Sequence, residues 1–130
     1  MAFEFEKPEE KAEEYAGFAL HYSDNAAKFL KAKEFQKASE MMWGAMASIL
    51  KAVAARKGVS VKSHKELWQF ARKLSKEEQN PEIFNSFSKA SNLHQNFYES
   101  NIGEIELRAL TESVAKTIGL LMEKLGYRPR

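Results

Sequence analysis

The sequence predicts an all-α fold: an antiparallel bundle of about five helices, in a single domain spanning residues 1–130. Apolar residues recur at intervals of three and four along most of the chain, which is the period of an amphipathic helix. The six glycines and three prolines are too few for the turns of a sandwich of short strands. A chain of 130 residues is the size of one ordinary domain and can bury one core.

The first two helices are predicted near residues 8–31 and 33–57. Pro8 suits a first helical position, and the glutamates after it favour the positive end of the helix dipole. The second helix carries a continuous apolar stripe and stops at Gly58, which can adopt the left-handed conformation of a helix end. Small residues are dense along this helix, so a neighbour can approach closely, and we expect it at the centre of the bundle.

The remaining three helices are predicted near residues 64–75, 81–98 and 103–125. Ser63 and Glu66 have the spacing of a capping box, which opens the third helix. Pro81 is well placed to open the fourth helix, and Gly126 to stop the fifth. No internal repeat or linker divides the chain, so short connections join the helices into one bundle.

Composition and motifs exclude several classes of function. The net charge of +2 is too small to hold nucleic acid through bulk charge, so any RNA contact must come from a local patch. The absence of cysteine excludes disulfides, thiolate nucleophiles and zinc fingers. The chain lacks phosphate-binding and dinucleotide loops, and no metal site or cofactor is expected. The acidic N-terminus and the short apolar runs predict a cytoplasmic protein without a membrane partner.

The fourth helix carries a histidine where its apolar stripe predicts a leucine or methionine. His94 follows Phe87 and Ala90 at helical spacing, and either His94 or its neighbour Leu93 continues the stripe. An imidazole at such a position is either a neutral ring held within the bundle or at a dimer interface, or a general acid or base in a cleft.

Polar and aromatic side chains surround His94. Lys89 could reach a phosphate, Asn92 and Asn96 could hydrogen-bond a base or ribose, and Tyr98 could stack on a base. This combination is typical of surfaces that bind nucleic acid. The alternative is a helix whose polar side chains only face water.

Two further groups are candidates for a binding surface. His64 lies inside the capping box, where its ring could close over the helix start or project into a groove between helices. Met41 and Trp43 fall on different sides of Met42, so at least one of them is expected to point away from the core. That residue is a candidate for a subunit interface.

The order and spacing of four segments resemble those of the HEPN-like helical domains, in particular the archaeal PaREP-type proteins. These segments are 29–40, 42–54, 63–67 and 93–99. Many HEPN domains are similar to metal-independent ribonucleases, in which an arginine and a histidine on the fourth helix line a cleft between two copies. By this resemblance the matching positions are Lys89 and His94, so the histidine is present and the arginine is not.

Three hypotheses about function remain open from the sequence. The first is a non-catalytic homodimer whose fourth helices form a groove for RNA, a nucleotide or a partner protein, such as a nucleotidyltransferase. The second is a metal-independent ribonuclease with His94 as acid or base and Lys89 as phosphate contact. The third is a purely structural or antitoxin-like dimer. The lysine favours the first hypothesis, because an ammonium group lacks the two-pronged fork with which arginine holds phosphate.

Overall fold

The computed structural model describes residues 8–96 and 102–127. These ranges form five helices: α1 (Pro8–Lys31), α2 (Phe35–Arg56), α3 (His64–Glu77), α4 (Pro81–Asn96) and α5 (Glu104–Lys124). No strand occurs within the two ranges. The prediction of an all-α helical bundle is therefore confirmed. None of the helices in these ranges is long and apolar enough to cross a membrane.

Helix α2 lies at the centre of the bundle, as its small residues predicted. It packs against all four other helices, and Ala45, Met46 and Ile49 along it are completely buried. Gly44 faces the ring of Tyr22 on α1, and a Cβ atom at this position would lie 3.2 Å from the Cγ atom of that ring. The missing side chain thus allows α1 to lie directly against α2.

Consecutive helices run antiparallel with one exception, the pair α2 and α3. The ring of Trp43, in the middle of α2, lies 5.1 Å from the ring of His64 at the start of α3. Further along, Lys57 Nζ at the end of α2 lies 3.7 Å from Glu77 Oε1 at the end of α3. The two helices therefore run in the same direction, because residues 58–63 lead the chain back along α2. This connection brings His64 to Trp43.

Helices α4 and α5 are antiparallel and are joined by hydroxyl groups. Ser86 Oγ and Thr117 Oγ1 form a buried hydrogen bond of 2.6 Å. One helical turn further along α4, Lys89 Nζ donates to Ser113 Oγ over 3.4 Å. These contacts fix the rotation of α4 about its axis, and this rotation decides which side chains of α4 face α5 and which face α2.

Three of the helix-end signals predicted from the sequence are confirmed, at Ser63, Gly58 and Gly126. Ser63 Oγ accepts a hydrogen bond from the backbone N–H of Glu66, and the backbone N–H of Ser63 donates to Glu66 Oε1. The capping box is therefore confirmed. Gly58 and Gly126 both have positive φ angles, of 75° and 92°, and end α2 and α5 as predicted.

Two helix ends have no glycine and differ from the prediction. Lys33, with φ of 60°, forms the turn between α1 and α2, so α2 begins at residue 35 and not near 33. Gln79, with φ of 53°, follows α3, which extends to residue 77 and not 75. The predicted continuation of the fourth helix to residue 98 lies outside the described residues.

Candidate binding surface around Trp43

Three rings from three helices stack at one edge of the bundle. The half-buried indole of Trp43 on α2 lies 5.1 Å from the imidazole of His64 on α3, with 23° between the ring planes. The imidazole of His94 on α4 lies 5.9 Å from the same indole, at 13°. Both imidazoles are exposed. We call this group the Trp43 surface: Trp43, His64 and His94.

One buried and two half-buried aromatic rings support the Trp43 surface from beneath. The completely buried ring of Phe87 lies 5.2 Å from the indole of Trp43. Phe87 in turn meets Trp68 edge-on at 4.6 Å, and Trp68 meets Phe84 edge-on at 5.6 Å. Edge-to-face contacts of this kind stabilise aromatic pairs beyond the area that they bury. The packing fixes the orientation of Trp43, so its ring is presented in a set position.

Local sequence explains why these rings reach the surface. Successive residues of a helix are rotated by about 100°. Met42 is buried in the core, so its neighbour Trp43 turns to the edge of the core. Likewise, Leu93 is 2% exposed and completes the apolar stripe of α4, which leaves His94 at the rim. The alternative in which the His94 imidazole is held inside the bundle is therefore wrong for the single chain.

The start of α3 adds positive charge beside His64. Lys62 and Lys65 are both exposed. The nearby carboxylate of Glu66 accepts backbone hydrogen bonds from Lys62, over 2.7 Å, and from Ser63, over 3.1 Å. These two bonds hold the pKa of Glu66 below its ordinary value. The carboxylate is thus engaged by the helix cap and also attracts the charge of Lys62, whereas both lysine side chains remain exposed.

Lys89 and His94 face different helices. Lys89 Nζ donates to Ser113 on α5, whereas the His94 ring lies on Trp43 of α2. Five helical positions separate the two residues, a rotation of about 140°, which accounts for this divergence. The structure therefore brings His94 together with His64 and does not bring Lys89 to either of them within one chain.

The other predicted site residues are placed as follows. Asn92 on α4 is exposed. The side chain of Asn96 and the whole of Tyr98 lie outside the described residues. Among the residues that the structure describes, no group of three or more histidine, aspartate or glutamate side chains is arranged to hold a metal ion.

Sequence reasoning did not join Trp43 to the two histidines. The sequence makes Trp43 a candidate for the core, for a binding surface or for a subunit interface, and His64 and His94 lie on two other helices. The missing signal is the direction of α3, which depends on the path of residues 58–63. Neither periodicity nor capping determines that path, so the sequence could not predict the meeting of His64 with Trp43.

These features define an all-helical bundle with an exposed surface of stacked aromatic and imidazole rings. The model of the archaeal PaREP1/PaREP8 family matches residues 14–118, and the chain belongs to this family. The resemblance to the archaeal PaREP-type proteins is thereby confirmed. No curated protein matches the sequence.

The fold is also similar to that of a solved structure, the crystal structure of a protein from Sulfolobus solfataricus. The two chains superpose with a TM-score of 0.73 and are 22% identical. The similarity covers 83% of this chain and 96% of the Sulfolobus chain. At this level of identity the comparison supports the helical bundle fold alone.

Proposed function

We propose that the protein is a non-catalytic, HEPN-like, homodimeric binding module, and that the Trp43 surface binds the bases of single-stranded RNA or of a nucleotide. The observation that carries this proposal is the stacking of two exposed imidazoles on one indole. Flat aromatic faces are the feature with which proteins bind unpaired bases, because every base has a face that can stack.

The residues around the Trp43 surface suit the rest of a nucleotide. Lys62 and Lys65 are exposed beside His64 and can contact phosphate, which supplies the local positive charge that a net charge of +2 does not. Asn92 is exposed on α4 and can hydrogen-bond a base or ribose. The cysteine-free composition suits a reducing compartment, and the proposal places this binding in the cytoplasm.

A binding measurement tests the proposal. A fluorescein-labelled single-stranded adenosine 12-mer is titrated with the protein in EDTA, and fluorescence anisotropy reports binding. Stacking contributes about 1–3 kcal/mol per base, so His64→Ala and His94→Ala are each expected to weaken binding roughly 5- to 150-fold. Phe18→Ala is the matched control, since Phe18 is an exposed ring on α1, and it should leave binding unchanged. Equal binding by all variants would refute the proposal.

The ribonuclease hypothesis is the second candidate, and the exposure of His94 favours it. Because Lys89 faces α5, a site containing both residues would need a second copy of the chain to supply one of them. The same EDTA reactions are therefore run on a gel. Cleavage that is lost in His94→Ala would support the nuclease, and intact RNA in all reactions would exclude it for this substrate.

The third hypothesis predicts a different outcome of the same experiment. A purely structural or antitoxin-like dimer needs no exposed rings for RNA. The 12-mer would then remain both unbound and intact with every variant.

A further inference from the structure

Helix α5 has an exposed stripe on the side opposite the core. Its buried side contains Leu107, Val114 and Leu121, all at most 2% exposed. On the opposite side, six residues follow one another at intervals of four and three positions, and each of them is exposed. We call this set the α5 stripe: Ile105, Ala109, Glu112, Lys116, Gly119 and Glu123. Ile105 is 86% exposed, which is unusual for an isoleucine.

An open groove runs along the α5 stripe. It has a volume of about 870 Å³, and Asn80 and Glu82 at the start of α4 form its other wall. Leu120 also lines the groove and is 37% exposed. A Cβ atom at Gly119 would meet nothing within 4 Å, so the middle of the groove is open to a neighbouring backbone. A helix of another chain can therefore approach closely here.

We propose that the α5 stripe is a dimer interface, in which α5 of one copy lies antiparallel on α5 of a second copy, about a two-fold axis near residue 114. A two-fold interface must be self-complementary, because the same surface meets itself. The heptad-like spacing of the stripe is that of helices that pair at a small crossing angle. This inference rests on the homodimer in the proposed function and identifies the surface that forms it.

The charges of the stripe complement each other about this axis. Glu112 and Lys116 lie two residues on either side of residue 114, so each lies opposite the other in the partner helix. The symmetry makes two such pairs of opposite charge. A shift of the partner by one heptad in one direction would place Glu112 opposite the partner's Glu123, and a shift in the other direction would place Lys116 opposite the partner's Ile105. Both shifts lose the pairs of opposite charge, and the first also puts like charges in contact, so these charges favour the register about residue 114.

The small residues of the stripe match in the same register. Ala109 lies opposite Gly119 of the partner subunit, and these small residues let the helix axes approach. At each end, Ile105 lies opposite Glu123 of the partner subunit, and Leu120 of the partner subunit lies within one helical turn of it. Contact with the partner would thereby remove part of the exposed surface of Ile105 and Leu120 from water.

Cysteine cross-linking tests the register directly, because the chain has no cysteine of its own. Ala109→Cys and Gly119→Cys are mixed and oxidised, and the products are separated by mass. The mixed disulfide is expected. Neither variant alone should cross-link, because copies of the same position lie about 15 Å apart along the axis. A disulfide requires Cα atoms within about 7 Å.

Charge reversal tests the interface without any cross-link. Glu112→Lys and Lys116→Glu each oppose like charges, and we expect each to weaken the dimer at least tenfold in sedimentation equilibrium. The double variant restores opposite charges and should restore the dimer. Asp24→Lys, an exposed charge reversal on α1, is the control and should not change the dimer.

The outcomes separate this inference from the function proposed above. A wild-type protein that is monomeric overturns the homodimer and this interface together. A dimer that ignores the charge reversals, or cysteine variants that cross-link only to themselves, overturns the α5 interface and leaves the homodimer standing. All of these measurements are made without RNA, so a failure of RNA binding has no effect on them.

Discussion

The buried hydrogen bond between Ser86 and Thr117 allows a quantitative prediction about the attachment of α4 to α5. Ser86 is completely buried and Thr117 is 5% exposed. Thr117 Oγ1 also lies 3.4 Å from the carbonyl oxygen of Ser113, whereas the bond to Thr117 is the hydrogen bond that satisfies the Ser86 hydroxyl. Loss of the Ser86 hydroxyl therefore leaves Thr117 with another acceptor, whereas loss of the Thr117 hydroxyl leaves Ser86 without a hydrogen-bond partner.

This difference sets the expected cost of each substitution. Ser86→Ala leaves Thr117 able to donate to the Ser113 carbonyl, so the free energy of unfolding should fall by about 1 kcal/mol, the net value of one hydrogen bond. Thr117→Val keeps the shape of the side chain but leaves the Ser86 hydroxyl buried without its partner, which costs about 1–3 kcal/mol. The double variant should cost less than the sum of the two, because it removes both hydroxyls.

Urea denaturation followed by circular dichroism measures all four proteins of this double-mutant cycle. A single helical domain of this size is expected to unfold in one cooperative step, so the free energies can be compared directly. Additive effects would show that the two hydroxyls do not interact. A larger cost for Ser86→Ala than for Thr117→Val would refute the assignment of the Ser113 carbonyl as the alternative acceptor.

Two further predictions concern helix packing and the helix cap. Gly44→Val should lower the free energy of unfolding by about 1–3 kcal/mol, because the new side chain would meet the Tyr22 ring. The control is Gly17→Ala, where the new Cβ atom has open space. This variant should raise the free energy of unfolding by about 0.5–1 kcal/mol in the same urea titration. The folded-state pKa of Glu66 is lowered by backbone hydrogen bonds, so its stabilising effect is present above the ordinary carboxyl pKa and is lost as pH falls through the lowered value. Between pH 7 and pH 3, the thermal stability of Glu66→Gln should therefore fall less than that of the wild type. Equal losses in the two proteins would contradict a stabilising role for the ionised Glu66 carboxylate.

The fold was largely predictable because its determinants are local. The capping box at Ser63 and the left-handed glycines Gly58 and Gly126 act within a few residues, and each lies where the sequence placed it. The ends at Lys33 and Gln79 were not predictable, because residues other than glycine adopt the left-handed conformation there. Both turns are closed by local backbone hydrogen bonds, from the N–H of Glu34 to the carbonyl of Phe29 and from the N–H of Asn80 to the carbonyl of Ser75. Without a glycine, the sequence does not mark these positions.

The candidate site was only half predictable. His64 and His94 could be selected as candidates from the sequence, since each is a titratable ring at a notable helical position. Their contact with Trp43 could not be predicted, because it depends on α3 running in the same direction as α2. The resemblance to HEPN domains paired Lys89 with His94, but the hydrogen bond to Ser113 turns Lys89 towards α5. Long-range contacts of this kind leave no pattern in a single sequence.

The most direct test of the Trp43 surface uses the three histidines of the chain. Their imidazole signals are recorded by NMR, assigned with single His→Ala variants, and followed while the adenosine 12-mer is added. His21 is an internal control, because it lies on α1 and is hydrogen-bonded to Asn25. We predict that the signals of His64 and His94 shift together while that of His21 stays fixed. Binding of the RNA with no change at His64 and His94, or no binding at all, would contradict the account.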